Sequence, residues 1–268
     1  MKMPRQIPVL LLLSLPTLAI AGEAWVDVPS GSFASSLRYP DSQDGLQKVS
    51  AFSLMRLPVS NAQFMEFVQT HPNWQRSNAA WVFAEPAAYL RHWQADLALG
   101  INAQPQQPVT FVSWFAADAY CQAQGARLPT WNEWEYVSAA DQNHADARSN
   151  PAWQSEILSW YAKPASNALV NVGASPANFY GVKDLHGLVW EWVSDYSAML
   201  VSSDNREQQD TDLQKFCGAG ALSIEDKQSY AVMMRVAMLS ALDGADSTSS
   251  LGFRCAKNKS ADANGINP

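Results

Sequence analysis

Cys121, Cys217 and Cys255 are the only thiols in this chain. An odd number leaves one over, to be free, metal-bound or paired with another chain. Cys217 lies in Phe216-Cys-Gly-Ala-Gly-Ala221, with Lys215 as its one basic neighbour. Two readings stay open for it. It is a small buried apolar group beside a Gly-rich strand or turn, or a functional thiol that binds a metal or forms a mixed disulfide. The four histidines, at 71, 92, 144 and 186, make no HxxxH or HxE pattern. Among the carboxylates, Glu191 stands between Trp190 and Trp192. A carboxylate flanked by such bulk needs a partner. Arg127 precedes Glu133 and Glu135 at a spacing that suits a partly buried ion-pair network. We prefer a structural to a catalytic role for these groups, because ion-pair networks also place carboxylates this way.

The elements that must hold these residues are short. Trp25 to Phe33 alternates apolar and polar residues and reads as a strand and turn; Val49 to Met55 is a second candidate strand. Ser60-Asn-Ala-Gln63 is a capping box ahead of Phe64, Phe67 and Val68, which share one helical face. His71-Pro72 ends that helix. Ser113 caps a second helix running to about Gln124, with Gly125 as its stop. Thr130-Trp-Asn-Glu133 opens a third, through Ala140. Residues 73–107 carry many aromatics without a period, and from Asp141 onward the chain reads as turns and short strands. The expectation is a single α+β domain with much coil.

Residues 1–21 combine Lys2 and Arg5, an apolar run and an Ala-Ile-Ala end, the pattern of a cleavable signal peptide. That run is short for a membrane span, so no stable anchor is expected after cleavage, and the location is periplasmic or secreted. The domain is expected over 22–257 and a disordered tail over 258–268. Net charge is -7. An acidic balance argues against nucleic acid and anionic membrane surfaces as partners. Eleven tryptophans suggest a loop-rich core built on large aromatics, or a sugar- or peptide-binding surface.

Four motifs in order resemble the sulfatase-modifying-factor family, whose best-known member is the formylglycine-generating enzyme. They are Pro58-Val-Ser-Asn-Ala-Gln-Phe, Arg127-Leu-Pro-Thr-x-x-Glu-Trp-Glu135, Gly187-x-Val-Trp-Glu-Trp192 and Gly252-Phe-Arg-Cys255. The resemblance implies an elaborated C-type-lectin-like fold of short antiparallel strands, two to three helices and much coil. It implies a Cys121–Cys255 disulfide, and a calcium site using Asp184, Gly187, Val189 and Glu191, since calcium takes hard oxygen ligands. The family's second disulfide would fall near Ser138 and Val236, neither of which is Cys. Its two copper-binding cysteines would fall near Asp226 and Ala231, and no Cys lies between 218 and 254. Without a thiolate pair there is no soft copper(I) site of that kind. Formylglycine generation is therefore not expected, and neither is the His-bound iron of the family's ergothioneine-type members; no copper or iron site is assigned.

Exported branches of the family that lack the pair include pyoverdine-maturation oxidases and accessory proteins of copper nitrite reductases. Residues 216–221 and the segments around Trp74 and Trp93 resemble the second. What the resemblance implies is a maturation or accessory factor, or an oxidoreductase, acting on a peptide-like substrate or a metalloenzyme client. A lectin-like binding module is the alternative, and whether the chain is an enzyme stays open. For a catalytic role the candidates are Cys217 and Asp226, the latter as an acid-base carboxylate raised by burial.

Overall fold

A computed structural model describes residues 25–36, 46–162, 169–197 and 230–259. Residues 1–24, most of 258–268, Cys217 and Asp226 lie outside them. The first strand and the last flank one central strand. β1 (Trp25–Val28) and β7 (Ala256–Asn258) both pair antiparallel with β4 (Phe52–Met55), giving the order β1-β4-β7. A separate hairpin joins β2 (Gly31–Ala34) to β3 (Leu46–Val49). The candidate strand over 49–55 is thus split: Val49 ends β3 and Phe52 opens β4. One short pair is parallel, β5 (Trp190–Glu191) beside β6 (Leu251–Gly252).

Helix starts follow their caps. In α1 (Asn61–Thr70) Ser60 and Gln63 close a reciprocal capping box, and in α3 (Trp131–Ser138) Thr130 and Glu133 do the same. The Ser113 side chain caps α2 (Trp114–Ala123). Gly125, with φ +61, supplies the left-handed residue just beyond that helix. Five helices are described, not two to three. The two extra lie in the stretch read as turns and strands. Asn150 caps α4 (Pro151–Tyr161), with proline at its first position; α5 (Tyr230–Ser240) is largely apolar. Asn-Pro is a legitimate helix start, but here it was hidden by the polar run before it.

Trp93, Trp131, Trp134 and Trp192 are among the largest fully buried side chains. Phe64 contacts Phe67, Trp93, Tyr120 and Phe253 at ring separations of 5.4 to 6.2 Å. The tryptophan wealth therefore fills the core in large part. Trp81, 77 % exposed, is the clear exception.

Candidate functional site

Three of the four motif segments converge on one buried ion pair. Glu191, in β5, and Arg254, just past β6, both have 0 % exposure. The Arg254 Nη2 donates to Glu191 Oε1 at 2.7 Å, and Nε donates to both carboxylate oxygens at 2.9 and 3.0 Å. Trp134 Nε1 donates to Oε2 at 3.0 Å. The remaining guanidinium donors reach the carbonyls of Met55, Arg56 and Lys183 at 2.9 to 3.2 Å. Arg235 of α5 lies 3.6 Å from the Trp134 ring centroid and donates to the Glu191 carbonyl. The cluster ties together six places along the chain: the end of β4, α3, the Lys183 loop, β5, α5 and the residues after β6. A cation held by so many acceptors is satisfied, which is the condition for burying it.

Beside it, Arg127 forms a two-pronged pair with Glu133, at 2.6 and 2.7 Å. Glu133 also caps α3 through the Thr130 N–H. Glu135 takes no part in that pair. Fully buried, it accepts from Ser35 Oγ, the Ser36 N–H and Trp131 Nε1 at 2.6 to 3.0 Å, tying the first hairpin to α3. Asp195 accepts the Trp131 N–H at 2.7 Å, and burial pushes its pKa up.

Cys121 of α2 is bonded to Cys255, with Cα atoms 5.5 Å apart. Gly252 precedes that cysteine for a steric reason: a Cβ there would meet the Val109 carbonyl oxygen at 2.6 Å.

Asp184 and Glu191 are each held by other partners. Asp184, at φ +60, accepts the backbone N–H groups of Gly173 and Ser175. Gly187, φ +91, makes the turn that follows it. Glu191 has its oxygens committed to a guanidinium and an indole, and a divalent cation there would face Arg254 directly. Glu191 fits an ion pair better than it fits calcium. Among the described residues no group of three or more His, Cys, Asp and Glu is placed to hold a metal.

His186 was not singled out by its sequence context. Its Nε2 donates to the Ser138 carbonyl at 2.9 Å, so Nδ1 carries the lone pair. The rings of Trp134 and Trp153 stand edge-on to it, each at 5.8 Å. Burial holds its pKa down to about 4, and the Arg235 and Arg254 charges act in the same direction. The imidazole lines a cavity of about 130 Å³ with Asp141, Trp153, Glu156 and Asp184. Cys217 and Asp226 lie outside the described residues, and Tyr230 begins α5.

The model of the "Sulfatase-modifying factor enzyme 1-like domain" matches residues 16–259. The chain belongs to the sulfatase-modifying-factor family. It is 29 % identical over 294 residues to the mouse "Inactive C-alpha-formylglycine-generating enzyme 2", covering 93 % of this chain and 92 % of that one. To the mouse formylglycine-generating enzyme it is 32 % identical over 220 residues, 74 % of this chain and 56 % of that one. To the hercynine oxygenase of Mycolicibacterium smegmatis it is 34 % identical over 206 residues, 65 % of this chain and 46 % of that one. The chain therefore spans about half the length of these last two. Among solved structures, PvdO from Pseudomonas aeruginosa aligns with a TM-score of 0.46 and 18 % identity over 88 % of this chain and 94 % of that one.

Proposed function

We propose that this is an exported accessory factor. It keeps the sulfatase-modifying-factor fold without two-thiol oxidase chemistry, and it serves a peptide-like substrate or a metalloenzyme client during maturation. One observation carries the reading. Of three cysteines, two are joined in the Cys121–Cys255 bridge, so a single thiol remains in the whole chain. A copper(I) site built on a cysteine pair cannot be assembled from one thiol. The near full-length match to a relative named as inactive supports the same view. Export rests on the basic start, the apolar run and the small-residue end of residues 1–21.

An oxidoreductase is the second reading, favoured by the similarity to hercynine oxygenases. Its metal ligands would have to come in part from beyond the described residues. Complementation of a deletion strain separates the two. If Cys217→Ser and Asp226→Asn both restore client activity fully, the accessory reading stands. Loss in either, with unchanged folding, moves the function to chemistry at the 217–235 segment.

A further inference from the structure

Three chain segments meet at Phe111, away from the ion-pair core. Its N–H donates to the Thr248 carbonyl at 2.8 Å, and its own carbonyl accepts the Leu90 N–H at 2.7 Å. Its ring lies 5.0 Å from the His92 imidazole and 4.5 Å from the Arg91 guanidinium. Leu90 and Phe111 are both left-handed, with φ 47 and 52. Neither is glycine, and both are buried. Backbone of this kind persists only where the surroundings impose it, and it gathers at ligand sites.

Both ring nitrogens of His92, the Ser247 hydroxyl and the Thr248 hydroxyl are buried and make no hydrogen bond among the described residues. Buried polar atoms are normally paired. Four of them on segments joined through one residue are not explained by packing. Arg76 and Arg91 both act on His92, while Asp96 and Asp246 stand on the adjoining segments. Arg76 spends an N–H on the Trp93 carbonyl at 3.0 Å, and Arg91 sits over Phe111. Neither is in an ion pair among the described residues, on a chain of net charge -7. Burial first, then the Arg76 and Arg91 charges, lower the pKa of His92 to about 4, so the ring is neutral and offers one N–H and one lone pair.

We propose that Arg76, Arg91 and His92, with the hydroxyls of Ser247 and Thr248, form a binding site for a small oxyanion, a carboxylate or a phosphate group. Guanidinium, imidazole and hydroxyl are all hydrogen-bond donors, and an oxyanion supplies several acceptors in one group. The site does not depend on the accessory reading, since nothing in it uses Cys217 or Asp226.

The test is calorimetric titration of the mature protein at constant ionic strength. The probes are inorganic phosphate, acetate, and an N-acetyl dipeptide with a free or an amidated C-terminus. The expected result is saturable binding that Arg91→Gln weakens at least tenfold and that Lys48→Gln, a surface cation elsewhere, leaves unchanged. Tighter phosphate binding assigns a phosphorylated ligand. Binding of the free but not the amidated dipeptide assigns a chain terminus. Should Arg91→Gln fold poorly, Thr248→Val carries the same test. Absence of saturable binding by every probe, or equal affinity in the folded variants, overturns the proposal.

Discussion

Arg254→Met tests how the fold is held. The substitution keeps approximate length and removes the charge from a site with no solvent exposure. Glu191 would keep only the Trp134 indole on its side chain, and the carbonyls of Met55, Arg56 and Lys183 would lose their guanidinium donors. Breaking a buried pair from one side costs about 3–5 kcal/mol. At about 2–4 °C per kcal/mol for a domain of this size, the melting point should fall by about 6–20 °C. Urea unfolding followed by tryptophan fluorescence should show a lower midpoint at constant slope. Glu191→Leu combined with Arg254→Met should recover part of the loss, because no charge is then buried alone. Recovery should stay incomplete, because the carbonyls remain without their donors. A loss under about 1 kcal/mol for Arg254→Met would refute the view that this pair organises the core.

Other outcomes follow from the same geometry. Replacing both Cys121 and Cys255 by Ala, which opens a loop with a sequence separation of 134, should cost about 4–5 kcal/mol in the chain-entropy model, measured by denaturation. Non-reducing peptide mapping should find Cys217 outside that bridge. Stability should fall with acid. An unfolded His186 takes a proton near pH 6.5 and the native one only near pH 4. The unfolded state therefore binds more protons in that window, and stability drops as pH falls through it, by about 3 kcal/mol in all; His186→Gln should flatten this part of the profile. Melting should be the same in chelator and in millimolar calcium, since Glu191 is committed to Arg254; a calcium-dependent rise lost in Glu191→Gln would instead place the ion there.

The sequence carried the helix caps and the family motifs, and for a physical reason. Ser60/Gln63 and Thr130/Glu133 are local devices whose spacing is itself the structure. The pairing of Arg127 with Glu133 was legible for the same reason, as six residues separate them. Glu191 with Arg254 was not, because they stand 63 positions apart and either arginine of the motifs could have served. Glu135, grouped by sequence with Arg127, pairs instead with Ser35, 100 residues away. The left-handed turns at Leu90 and Phe111 carry no sequence signal at all, since such positions ordinarily call for glycine or asparagine. Helix α5 was missed because an apolar segment without polar alternation does not distinguish a buried helix from a strand.

The most direct measurement of the account is mass spectrometry of a cysteine-containing sulfatase-type peptide incubated with the purified protein, copper(I), reductant and oxygen. A chain with one thiol beyond its Cys121–Cys255 bridge should leave the peptide mass unchanged. Conversion of that cysteine to formylglycine above a mock-purified control, abolished by Cys217→Ser, would contradict it.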